Sequence, residues 1–145
     1  MRISFVLFIL IAAIIVPVVP TGWIILGRIT CQKAVPWCYS IQLAEIDSSS
    51  NDIMDSFAAC EFKSSHQDYH LKGMEAWDGI FDGNFETELL IEHDCGLEAT
   101  EEKQTIRMTF DPISTTTQYV RKEININLGK NETEIIKAFN TYLWE

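Results

Sequence analysis

The sequence predicts an all-β fold: a β-sandwich of about seven to eight short strands, finished by a short C-terminal helix. Three observations point there. From Phe85 to Cys95 the odd positions read Phe, Thr, Leu, Ile, His and Cys, while the even ones are mostly acidic. A period of two places these sets on opposite faces of one strand, apolar and inward against acidic and outward. Similar short runs recur along the chain with turn residues between them. Only the C-terminal tail changes to helical spacing.

The N-terminus stands apart. After Met1-Arg2 no charged residue occurs from Ile3 to Leu26, and Pro17 and Pro20 interrupt the end of the aliphatic run. A basic residue, an apolar core and then helix breakers describe a secretory signal peptide over residues 1–21, with the cut after Thr21. The alternative is a membrane-anchored ectodomain held by an uncleaved segment, because the run is long enough to span a bilayer. The prolines and Gly22 oppose one continuous helix there.

Residues 22–145 then form one domain. Trp23 to Cys31 can extend as a strand, with Gly27 as a possible bulge. Pro36 marks a turn within Gln32 to Trp37, and Tyr39 to Leu43 alternates as a second strand. Asp47-Ser48-Ser49-Ser50-Asn51-Asp52 is a polar loop. Ile53 to Phe62 is read as a strand rather than a helix, and a further extended piece follows over Asp68 to Leu71. Asp82-Gly83 between Ile80-Phe81 and Phe85 signals a tight hairpin. After Phe85 to Cys95, Ile106, Met108 and Phe110 share one face of the next strand. Tyr119 to Leu128 supplies one or two more. Asn131-Glu132-Thr133-Glu134 has the form of a capping box, and Ile135, Ile136, Phe139, Tyr142 and Leu143 follow at helical spacing.

Charge and cysteine content narrow the setting. Without the leader and its Arg2, ten basic residues face 21 acidic ones, a net charge near −11. That disfavours nucleic acid and anionic membranes as electrostatically held partners. Cys31, Cys38, Cys60 and Cys95 all follow the leader, and an even count in a small secreted domain reads as two disulfides, with three connectivities open.

Several segments, taken in order, resemble the nematode transthyretin-like family of small secreted proteins. They are Gly27-Arg28-Ile29-Thr30-Cys31, the Pro36 turn with Ser40-Ile41-Gln42-Leu43, Asp52-Ile53-Met54-Asp55, Tyr69-His70-Leu71-Lys72-Gly73, Leu89-x-Ile91-x-His93-x-Cys95 and Glu123 to Leu128. The likeness spans roughly residues 27–128. Lys63 to Gln67 departs from the family's Thr-Asp-x-x-Gly turn, Thr87 stands where the family has proline, and the segment from Gly73 to Phe85 is longer. Cys38, Cys60 and the C-terminal helix look like additions. The resemblance implies a transthyretin-like (prealbumin-like) sandwich, an extracellular location and no enzymatic activity. It also implies that Cys31 pairs with Cys95, which occupy the two family positions, and hence Cys38 with Cys60.

Chemistry-bearing residues are few. Cys95 and His93 on one strand face would suit a nucleophile and base, but cysteine parity favours a disulfide and a structural histidine. His66, His70 and His93 invite a metal reading, and His66 and His70 share a face. Neither a third ligand to join them nor an ordering shell is visible, so they are read as solvated histidines and no metal site is assigned. Asp82-Gly83-Asn84 begins like a calcium loop, yet Thr87 and His93 stand where glycine and glutamate are required. Glu86, Glu88, Glu92 and Asp94 form a solvated acidic face. Asn131-Glu132-Thr133 is an N-glycosylation acceptor. Trp77, beside Asp78-Gly79 in a long loop, is the candidate exposed binding aromatic. The expectation is a secreted binding or carrier module without a cofactor. Its ligand would be an extracellular protein, a lipid or a small apolar molecule, and a homo-oligomer is possible. A hydrolase related to transthyretin-like enzymes is disfavoured, because the chain ends Tyr142-Leu143-Trp144-Glu145 in place of the Tyr-Arg-Gly-Ser of that hydrolase.

Overall fold

The computed structural model of the chain describes residues 19–33, 36–47, 51–76, 83–98, 101–130 and 135. Alternation decides where strands lie and which side each buries. The strands are β1 (Thr21–Thr30), β2 (Trp37–Ile46), β3 (Asn51–Glu61), β4 (His66–Glu75), β5 (Asn84–Phe85), β6 (Thr87–His93), β7 (Gln104–Thr109), β8 (Ile113–Ser114), β9 (Tyr119–Glu123) and β10 (Ile126–Asn127). No helix is assigned as an element among the described residues. The expected C-terminal helix lies outside them, apart from Ile135, which is buried in the core.

The first sheet centres on β1. It pairs antiparallel with β4 along one edge, and in parallel with β9 and then β10 along the other. The second sheet runs β3-β2-β6-β7 and is antiparallel throughout. A two-stranded patch, β5 with β8, sits apart from both. The inward residues of the two large sheets share one core, including Ile25 and Leu71 from the first and Ile41, Leu43, Leu89 and Ile91 from the second. The result is a sandwich-like all-β fold.

β6 shows why pattern is such a strong guide. Thr87, Leu89, Ile91 and His93 are buried at every second place, and Phe85 and Cys95 continue the series on either side. Two corrections apply to this stretch. It is not one strand: Phe85 pairs with Ile113, and Glu86 breaks the ladder, its carbonyl accepting from the Ile46 amide at 2.7 Å. Nor does the strand reach Cys95, because Gly96 adopts a positive φ of 77° in the turn that follows. The acidic face is not uniformly solvated either. Glu88 is 6% exposed, and Arg107, diagonal to it on β7, reaches across with a 2.7 Å ion pair.

Gly27 is not a bulge, for β1 keeps continuous register with β4 through it. It is glycine because the chain passing from β9 to β10 lies on top of it; a Cβ there would stand 1.9 Å from the Ile124 carbonyl oxygen. The irregularity lies instead opposite Leu43 and Ala44, where β3 carries one extra residue, Met54. At the N-terminus β1 begins at Thr21, which is buried and donates its hydroxyl to the Thr117 carbonyl. The strand therefore starts with the residue expected to end the leader. Residues 1–18 lie outside the described part.

Candidate functional site: a groove on the outer face of the first sheet

Because β1 alternates, its odd residues enter the core and its even residues form the middle of the sheet's outer face. Gly22, Ile24 and Leu26 lie in line there, followed by Arg28. Register places Tyr119 beside Gly22, Arg121 beside Ile24 and Glu123 beside Leu26 on β9. On β4, Met74, Lys72 and His70 flank the same three residues. Of these, Tyr119, Arg121, Glu123 and His70, together with Arg28 and Asp68, wall an open groove of about 800 Å³ with Ile24 and Leu26 at its floor. That volume lies within the range of small-molecule sites, roughly 300–1,000 Å³.

The groove is polarised along its length. At one end the Tyr119 ring lies over Gly22 and is 54% exposed, and Met74 is exposed nearby. At the other end Arg28 makes a two-pronged contact with Asp68, 2.7 and 3.2 Å. Hydrogen bonding to Arg28 holds the Asp68 carboxyl below its ordinary range, and the same bond raises the guanidinium. Arg28 is held on its other side as well, its amide donating to Asn125 Oδ1 at 2.9 Å. Arg121 makes no ion pair among the described residues, so a cation is available midway along the groove.

The residues singled out from sequence fall elsewhere. Cys31 is bonded to Cys95, tying the end of β1 to the turn after β6, and thus one sheet to the other. Cys38 is bonded to Cys60, its direct neighbour across β2 and β3. No described cysteine is a free thiol, which removes Cys95 as a nucleophile. His93 is buried, and its Nδ1 accepts from the Cys95 amide at 3.2 Å. That bond puts its proton on Nε2, which finds no hydrogen-bond partner. Burial lowers its pKa, with Asp94 opposing.

The three histidines do not converge. His66 and His70 are exposed on the outer face of β4, while His93 faces the core on β6. Trp77, Asn131 and the Asp82 turn lie outside the described residues. The groove was missed because its members are scattered over β1, β4 and β9, and each alone reads as an ordinary outward residue. The one visible signal was the pairing of apolar Ile24 and Leu26 on the outward phase of an otherwise amphipathic strand.

The family described as "Caenorhabditis elegans protein of unknown function (DUF870)" matches residues 27–135. A Caenorhabditis elegans protein described as "Uncharacterized protein B0416.7" is 26% identical over 108 residues, covering 73% of this chain and 81% of that one.

Proposed function

The chain belongs to that Caenorhabditis elegans family of unknown function, and on this premise we propose that it is a secreted, disulfide-bonded binding module of transthyretin-like type. It carries an amphipathic small molecule such as a lipid with an acidic head. The groove on the first sheet carries this reading. An apolar floor of Ile24 and Leu26 suits a hydrocarbon body, and Arg121 beside Ile24 offers a charge-assisted contact to a carboxylate or phosphate.

Two disulfides in a chain of this size support an oxidising, extracellular setting. No helix among the described residues is long and apolar enough to cross a membrane. In this reading the apolar leader is removed on export and Asn131 is glycosylated, and the module carries out no covalent chemistry. A sandwich-like fold with Cys31 bonded to Cys95 supports the transthyretin-like assignment.

The test is native mass spectrometry of protein recovered from culture medium, before and after exposure to a panel of fatty acids and phospholipids. Retained lipid is expected for the natural chain. Leu26→Glu should abolish it, and Arg121→Ala should weaken anionic lipids about tenfold, the scale of one charge-assisted hydrogen bond. Protein that stays bare across the panel would defeat the carrier reading. The same spectra report mass, hence leader removal, glycosylation and oligomeric state.

A further inference from the structure

A second group of polar residues lies on the other sheet, at the end of the core remote from the Cys31–Cys95 disulfide. β2 keeps strict alternation through Trp37, Tyr39, Ile41 and Leu43, so Glu45 is carried inward with them and is 0% exposed. Its cross-strand neighbours are Asp52 on β3 and Thr87 on β6. Directly opposed residues share a sheet face. Asp47 follows two places after Glu45. One carboxylate oxygen from each of Glu45, Asp47 and Asp52 lies within 4.8 Å of the others.

Two independent observations make this more than an acidic cluster. Thr87 is 0% exposed, and its hydroxyl oxygen is buried without a hydrogen-bond partner although it stands opposite Glu45 on the same inward face. A buried hydroxyl is normally satisfied, so an orphaned one beside converging carboxylates points to a ligand between them. The second observation is the bulge. The extra residue Met54 reverses the phase of β3, so Asp52 stands opposite Glu45 on its face of the sheet and Ile53 is turned out to water, 59% exposed. Regular pairing would have faced Ile53 inward and Asp52 outward. A bulge that exposes an isoleucine in order to aim an aspartate sacrifices apolar burial for placement, as bulges beside functional sites do.

We propose that Glu45, Asp47, Asp52 and the Thr87 hydroxyl form a binding site for a hard divalent cation, calcium. The donors are all oxygen, with no imidazole or thiolate, which disfavours zinc and copper. Oxygens 4.8 Å or less apart can each lie at the 2.3–2.6 Å that calcium requires. Magnesium demands a near-ideal octahedron at shorter distances and dehydrates reluctantly, whereas calcium accepts flexible sets of oxygen donors. Asp52 is exposed and Asp47 half-buried, so the ion reaches the site from solvent while Glu45 and Thr87 close it from the core side.

The experiment is calorimetric titration of the whole protein with calcium chloride, paired with thermal melts. A dissociation constant of roughly 0.1–1 mM, the range of extracellular calcium modules, is expected, with Tm rising as calcium is added. Asp52→Asn removes an exposed carboxylate without touching the core and should weaken binding at least tenfold. Thr87→Val keeps side-chain volume and should weaken it severalfold. Glu92→Gln, on the exposed face of β6, should leave it unchanged. No heat and no Tm shift up to about 10 mM calcium would overturn the proposal. So would undiminished affinity in Asp52→Asn, or magnesium and zinc binding as tightly as calcium.

Discussion

His93 shows how one residue joins stability to pH. It sits on the inward face of β6 with Nδ1 committed to the Cys95 amide and Nε2 without a partner. A charged imidazole there would lose its hydration, so burial holds the folded pKa below the ordinary 6.5. The unfolded chain therefore binds the proton more readily, and acid favours unfolding. The stabilisation is complete above the unfolded value. It declines as pH falls through 6.5 towards the depressed folded value, and then levels off. Urea midpoints measured from pH 8 down to pH 5 should fall in that window, and His93→Gln should flatten the decline. An unchanged profile in the variant would assign the acid sensitivity to other groups. Alternation placed His93 inward. Its hydrogen bond depends on the turn at Gly96, whose positive φ no alternation pattern encodes.

Among the elements, the two disulfides have different tasks. Cys38–Cys60 links neighbouring strands that the β2–β3 ladder already holds, and it closes a separation of 22 residues. Cys31–Cys95 spans 64 residues and joins the two sheets. Loop-closure entropy alone makes the longer link worth about 4 kcal/mol and the shorter about 3 kcal/mol. Replacing Cys31 and Cys95 together by alanine should therefore cost more than replacing Cys38 and Cys60, as read by chemical denaturation. The reverse order would show that anchoring β3, an edge strand, matters more than joining the sheets. Cysteine count alone left three pairings open. The register settles one link by setting Cys38 opposite Cys60. β3 carries a further lesson, because its bulge shifts the inward set from odd to even positions. A period-two reading from Phe57 backwards puts Ile53 in the core, whereas the bulge leaves it exposed and sets Asp52 opposite Glu45 instead.

At the scale of the whole molecule, the core begins with the first residues of β1. Trp23 is fully buried and meets Phe85 edge-on with ring centroids 6.4 Å apart, which connects the first sheet to the β5–β8 patch. A chain starting at Gly22 should fold. One starting at Ile24 loses that ring and should be destabilised by about 3–5 kcal/mol, the usual cost of deleting a buried tryptophan. Thermal melts of the two truncations check this, and equal Tm values would count against an N-terminal anchor for the core. Sequence by itself determined the all-β class, most strand positions and the inward faces of β2, β6 and β7, because solvent acts on each residue locally and alternation records it. It also bounded the charge and the number of disulfides. Tertiary structure alone decided which strands are neighbours, and with them both candidate sites. The groove needs β9 and β4 on either side of β1, and the carboxylate cluster needs β3, β2 and β6 in adjacent register with a bulge between the first two. Such pairings join residues far apart in the chain. They are chosen by the closing of the whole core rather than by any local preference, so no short stretch contains them.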